Sequence, residues 1–182
     1  LGLKKTGAGT MILAGSNTYS GGTTLSAGTL GIANSSALGT GALTTFDGSR
    51  LAFFADNLNL ANSVTLANGV STIDAGRNSA TLSGTITGAG GMAKAGDGTL
   101  ILSGQNTYSG ATTVTGGGLI VTGSIASSAL TTVQSGAMLG GSGTVGNTFI
   151  NGGTLVPGTA IGTLTVQGDL TMTSAARYAI GV

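Results

Sequence analysis

The segment from Leu3 to Leu30, LKKTGAGTMILAGSNTYSGGTTLSAGTL, returns from Met92 to Leu119 as MAKAGDGTLILSGQNTYSGATTVTGGGL. Roughly 16 of 28 aligned positions are identical, and repetition at a fixed spacing is the signature of stacked-coil architectures. The offset of about 89 residues is too long for one supersecondary unit, yet it divides into four steps of about 22, so four coils are expected to separate the copies.

Each copy holds a short apolar run, a polar turn around Asn-Thr-Tyr-Ser-Gly, a second strand, a glycine and a third short strand. Met11 and Leu13, Leu25 and Ala27, then Leu30 and Ile32 alternate with exposed neighbours at period two, as do Leu100 and Leu102, Val114 and Gly116, Leu119 and Val121. That alternation points Ile12 and Ile101 outward, either into solvent or beneath a covering loop. Gly28 and Gly117 stand where the chain must bend between sheets, a position that suits a residue without a Cβ. Between the copies the pattern continues through Leu43, Leu51, Phe53, Leu58, Leu60, Val64, Leu66, Val70, Ile73, Leu82 and Ile86. The expected fold is all-β: a right-handed parallel β-helix with three short strands per coil and about eight coils, one unit over residues 1–182. Since each coil buries its inner face only against its neighbours, both ends should be exposed strand edges.

Composition excludes the alternatives. Gly, Ser and Thr are abundant, with 36 glycines, but a disordered chain would be poor in aliphatic residues, and here the hydrophobic fraction is 40%. Long surface helices need Glu, Lys and Arg, yet charged residues make up only 6%. A net charge of +1, with Lys4, Lys5 and Lys94 forming no extended patch, gives no footprint for nucleic acid. Cysteine is absent, so neither disulfides nor thiolate metal sites contribute. Neither a signal peptide nor an apolar run long enough to span a bilayer is visible, and a chain opening on Leu1-Gly2-Leu3 inside a repeat reads as a piece of a longer one.

Catalytic chemistry is hard to assemble. The chain has no histidine, cysteine or glutamate, and its acidic residues are five isolated aspartates, so no enzyme activity, catalytic residue, cofactor or metal is expected. Asp47 with Asp56, and Asp74 with Arg77, are pairs that could approach in space, and both read as solvated turn residues. Ala95-Gly96-Asp97-Gly98 matches a calcium-binding nonapeptide turn only once, and Gly88-Ala89-Gly90-Gly91 lacks the Gly-Lys-Ser/Thr of a phosphate loop. Tyr19 and Tyr108 occupy the same place in the two copies; each should pack its ring at a coil corner and bond its hydroxyl, with Asn17 and Asn106 holding the turn backbone. Phe46, Phe53 and Phe54 form the one aromatic cluster, with Phe53 and Phe54 on opposite faces and a core-and-loop-covered arrangement favoured over an exposed contact. Thr163 with Thr165, and Thr171 with Thr173, have the T-x-T form of an ice-binding array, but the form is not repeated at every coil.

The segments Gly9 to Leu30 and Gly98 to Leu119 resemble the autotransporter-associated β-strand repeat, K-x-G-x-G-T-L-x-L-x-G-x-N-T-Y-x-G-x-T-x-V-x-x-G-x-L, with Met11 and Leu25 for the usual leucine and valine in the first copy. GGTLVPGTAIGTLTVQGDLTM, Gly152 to Met172, is similar to the closing region of autotransporter passengers, with a Pro157-Gly158 turn, a strand from Ile161 to Val166 and a Gly168-Asp169 corner; Val156 replaces the usual small residue. The resemblance implies a passenger exported by type V secretion through the outer membrane to the bacterial cell surface, with its own C-terminal outer-membrane β-barrel as partner. Host surfaces or sister passengers are further candidate partners, and neither nucleic acid nor a small-molecule substrate is expected. It further implies a structural stalk that presents distal segments and supports adhesion or self-association, with residues 152–182 as a folding nucleus during secretion. The other reading is a carrier for a toxin or enzyme domain upstream.

Overall fold

The computed structural model describes residues 1–158 and 162–180. The described residues form strands and turns only, stacked in a parallel β-solenoid of about nine turns, so the expected parallel β-helix is the observed fold. Nine strands, one from every coil, make the longest sheet, beginning with Thr10–Leu13, Thr29–Ile32, Arg50–Phe53, Val70–Asp74 and Gly91–Ala95 and ending with Leu170–Met172. A seven-stranded sheet runs from Leu58–Leu60 to Arg177–Tyr178. The third side is divided between a five-stranded sheet, from Leu3–Lys5 to Ile86–Thr87, and a three-stranded sheet, from Ser124–Ile125 to Thr165–Val166. All paired strands are parallel, about 4.8 Å apart.

Register explains the core. On the long sheet Met11, Leu30, Leu51, Ile73, Lys94, Val114, Val133, Ile150 and Met172 fall in one inward column. On the seven-stranded sheet Leu58, Ala80, Leu100, Leu119, Leu139 and Leu155 do the same. Each fully buried aliphatic side chain contributes about 1.5–3 kcal/mol, and inside a column each stacks on a residue of the coil above and below. Of the eleven apolar residues expected to continue the pattern between the copies, ten are buried; Val70 is exposed, because it opens its strand on the outward phase.

Three expectations are corrected. The coils are not of one length: Ile73 stacks on Leu51 after a long coil, whereas Ile150 stacks on Val133 after a markedly shorter one, and about nine turns fit where eight were expected. Three strands per coil does not hold everywhere. Residues 14–22 and 33–42 cross the side of the seven-stranded sheet without forming a strand, and Ala37 and Leu38 fill the core there. Residues 103–111 likewise cross the third side with only an isolated bridge from Gln105 to Ser124. Two of these strandless crossings are the Asn-Thr-Tyr-Ser-Gly turns of the two copies.

The third correction concerns the copies. Thr10–Leu13 lies in the nine-stranded sheet and its counterpart Thr99–Leu102 in the seven-stranded one; Thr23–Leu25 lies in the five-stranded sheet and its counterpart Thr112–Val114 in the nine-stranded one. Four coils therefore do not separate the copies; four coils and one further side do. The reason is that the average coil is shorter than a quarter of the offset, so the offset is not a whole number of coils.

In the closing motif the bend comes at Gly158, which has φ +78° and donates its N–H to Gly141 O at 2.8 Å, while Pro157 still belongs to strand Thr154–Pro157. Ile161 lies outside the described residues, and the expected strand up to Val166 is reduced to Thr165–Val166. The Gly168-Asp169 corner is present, with Gly168 at φ +135° and the Asp169 N–H bonded to Asn147 Oδ1 at 2.9 Å.

Candidate functional site

The lysine of the repeat points into the rod. Lys5 closes strand Leu3–Lys5, and its counterpart Lys94 is the last residue but one of Gly91–Ala95. Both are buried, Lys94 completely, within the inward column between Ile73 and Val114. An ammonium is tolerated there because every N–H has an acceptor. Lys94 Nζ donates to Ala95 O (2.9 Å), Gly96 O (2.8 Å) and Gly116 O (3.0 Å). Lys5 Nζ donates to Thr6 O (2.9 Å), Gly7 O (2.7 Å) and Ala27 O (3.1 Å). Two acceptors come from the lysine's own corner and one from the next coil, so each ammonium pins successive corners together. Gly28 and Gly117 lie beside the third acceptor with φ +71° and +59°; a Cβ on Gly28 would collide with the Gly7 carbonyl, and one on Gly117 with that of Gly98. Burial pulls the pKa of the Lys94 ammonium down to about 8, against the opposing pull of the Asp97 carboxylate.

From the residues alone these lysines read as scattered charge. The signal was present: the same lysine stands before G-x-G in both copies.

The tyrosine turns behave as expected. Tyr108 is fully buried and its hydroxyl lies 2.6 Å from Thr112 Oγ1, which lies 2.9 Å from Ser128 Oγ, which donates to Gly110 O at 3.0 Å. Burial pushes the pKa of the Tyr108 hydroxyl up to about 12, with the hydrogen bonds to Thr112 and Ser128 acting the other way. Tyr19 makes the same bond to Thr23 at 2.7 Å but is only half-buried. Asn106 accepts from the Ile86 N–H (2.8 Å) and donates to Gly104 O (3.0 Å), while Asn17 donates to Ala37 O (2.8 Å). Both asparagines thus tie a turn to an adjoining coil.

The aspartates are not assembled. Asp47 Oδ1 accepts from the Val70 N–H (2.8 Å) and Asp56 Oδ1 from the Ser79 N–H (2.7 Å), each capping a strand start on the next coil at a different corner. Asp74 pairs with Arg50 of the preceding coil and not with Arg77; its other oxygen accepts from the Gly76 N–H at 2.8 Å. The register Ala52↔Asp74 brings the two strands side by side, which sequence spacing alone does not reveal. Among the described residues no three His, Cys, Asp or Glu side chains gather as a metal site. Gly88-Ala89-Gly90-Gly91 runs into strand Gly91–Ala95 and not into a helix, and Ala95-Gly96-Asp97-Gly98 is the corner whose carbonyls hold Lys94.

Outward-facing side chains give the rod its remaining chemistry. Ile12 is 53% exposed and Phe54 52% exposed, and both lie over Gly31 with no loop above them, so the expectation of a covered aromatic cluster fails for Phe54. Phe53 is buried on the opposite face, as alternation requires. Ile101 also points outward, where it pairs with Ile120.

Threonines form ladders that the T-x-T criterion misses, because they repeat between coils and not within a strand. Thr24, Thr44, Thr65 and Thr87 are aligned on the five-stranded sheet. A second row, on the nine-stranded sheet, passes through Thr113, Thr132, Phe149 and Thr171. Beside Phe149 the surface dips into an open groove of about 400 Å³, bordered by Leu130, Asn147, Asp169 and Thr171.

The passenger-associated-transport-repeat family matches residues 3–32 and 92–121, the two segments that carry the lysine corners and the tyrosine turns. No curated protein and no solved structure matches the chain significantly. The family implies export by type V secretion to the cell surface. Two segments of the chain, together about a third of it, thus carry the passenger-associated transport repeat, and both build coils of the parallel β-solenoid.

Proposed function

We propose that these coils are the shaft of an autotransporter passenger, held at the cell by the passenger's own outer-membrane β-barrel, presenting distal segments and supporting adhesion to host surfaces or to sister passengers. The observation that carries this reading is the stacking itself. Inward columns are filled by aliphatic side chains, capped lysines and buried hydroxyls such as Ser71, Thr112, Thr131 and Thr148, so the chemistry available to a partner lies on the long, nearly uncharged sides. Such a rod supplies length and stiffness from nearest-neighbour contacts alone, and a protein displayed at its far end is held clear of the membrane.

A role for residues 152–182 in folding during secretion draws its support from the likeness of Gly152 to Met172 to passenger closing regions. Within the described residues this end is the least buried: Leu170, Met172, Tyr178 and Ile180 are all exposed, and the strands Thr165–Val166 and Arg177–Tyr178 have two residues each. The fully buried side chains lie upstream, from Leu25 to Leu155.

Surface display separates the two roles. With an epitope tag placed before Leu1 in a passenger that contains these coils, deleting whole coils between residues 29 and 91 should leave export intact and lower cell–cell aggregation, read by antibody labelling and settling rate. Deleting residues 152–180 should reduce the amount of folded, protease-resistant passenger at the surface. Unchanged protease resistance after that deletion would remove the folding role and leave the shaft reading in place.

A further inference from the structure

We propose that the outer face of the nine-stranded sheet binds a neutral, extended polysaccharide lying along the rod axis, centred on the groove where Phe149 interrupts the threonine row. This deepens the adhesive part of the proposed function by giving it a ligand class, and it rests on that reading only for its biological setting.

Geometry supplies the first argument. Thr113, Thr132, Phe149 and Thr171 occupy one outward row, one residue per coil. Successive strands are about 4.8 Å apart, close to the length of one sugar in an extended β-linked pyranose chain. A glycan laid across the strands therefore meets a hydroxyl or a ring at nearly every sugar.

The groove has the mixed chemistry a sugar needs. Phe149 and Leu130, the latter 39% exposed, offer an apolar floor for the C–H face of a pyranose. Polar groups stand at the edge. Asn147 commits its Oδ1 to the Asp169 N–H, which leaves its amide NH₂ as a donor, and the Asp169 carboxylate and Thr171 hydroxyl are acceptors on the neighbouring coil. At about 400 Å³ the groove falls within the range of small-molecule sites, and its lining comes from three successive coils.

Charge selects among glycans. No charged side chain occurs between Asp97 and Asp169, and the one charge at the groove is negative. Sulfated or uronic-acid chains would meet a carboxylate with no cation beside it, so neutral glycans are favoured.

The test is titration of the full 182-residue chain with cellohexaose and with chitohexaose, and with a heparin hexasaccharide as the anionic comparison, followed by NMR and calorimetry. The expected result is saturable movement of the Leu130 methyl and Phe149 ring resonances with at least one neutral hexasaccharide and none with heparin. Affinity should fall at least tenfold in Phe149→Ala and survive in Phe149→Tyr, with circular dichroism showing the fold of each. Should Phe149→Ala fail to fold, resonance mapping on the unaltered chain decides. The proposal is overturned by the absence of shifts with both neutral probes at millimolar concentration, by shifts confined to another face, by preference for heparin, or by self-association through Phe149 that neither glycan displaces. None of these outcomes bears on surface display, so the shaft reading stands or falls separately.

Discussion

In the first copy of the repeat Met11 and Leu13 remain half-buried and Tyr19 keeps part of its surface in water; in the second, Leu100, Leu102 and Tyr108 are fully closed off. The local bonds are nevertheless the same. Both lysines cap three corner carbonyls, and both tyrosines bond the threonine four residues on. The repeat thus encodes its corners, whereas the coils stacked on either side determine how much of it is buried. Quasi-one-dimensional folds behave this way: the same unit has one intrinsic contribution and a neighbour-dependent one.

Paired substitutions test that division. The largest effect is expected at the lysines. Lys94→Met keeps the aliphatic stem in its column but strands three carbonyls inside the rod, and should lower stability by about 3 kcal/mol; Lys5→Met, in the first coil, should cost about half as much. Urea denaturation followed by circular dichroism reads both, and equal losses would show that neighbouring coils add nothing to the cap.

The next effect is with pH. Lys94 has a pKa of about 8 in the folded chain against its ordinary 10.5, so between those values the unfolded chain holds the extra proton and stability rises with pH. Below pH 8 the penalty is fully present. The rise from pH 7 to 10 should be about 2 kcal/mol and should vanish in Lys94→Met. Tyr108 acts in the opposite sense at higher pH: held up at about 12 against 10.0, it gives stability that is full below pH 10 and lost between 10 and 12. Midpoints of urea unfolding should therefore peak near pH 10, and a monotonic profile would contradict the buried positions of these two groups.

The smallest effect separates the tyrosines. Tyr108→Phe breaks a buried chain of hydroxyls and should cost about 1 kcal/mol, while Tyr19→Phe, at a partly solvated site, should cost about half of that or less. Thermal unfolding of the two variants side by side gives the comparison, and a larger loss at Tyr19 would reverse it.

Much of this fold is legible in the residues because a β-strand writes its inner face at period two. Leu25, Leu30, Ile32, Leu100, Leu102, Leu119 and Val121 are all inward and buried as alternation requires. Ile12, Ile101 and the split between Phe53 and Phe54 follow from the same rule. What stays hidden is whatever depends on register between coils. Asp74 finds Arg50 and not the nearer Arg77, the threonine ladders recur once per coil and not at every second position, and the groove at Phe149 draws its walls from three successive coils. Lys94 is hidden for another reason. A lysine reads as solvent-facing unless its acceptors are known, and those are backbone carbonyls, which every sequence possesses and none advertises.

The displacement of the two copies by four coils and one further side has a geometric meaning beyond this chain. A unit slightly longer than four coils precesses like a screw thread. A further copy at the same spacing, over coils of the same lengths, would turn its motif to the remaining side, and three copies together would address all three directions around the axis. Rods decorated in that manner have no front or back; contacts made through the repeat would branch into a three-dimensional mesh, where a repeat of whole coils would produce a flat ribbon.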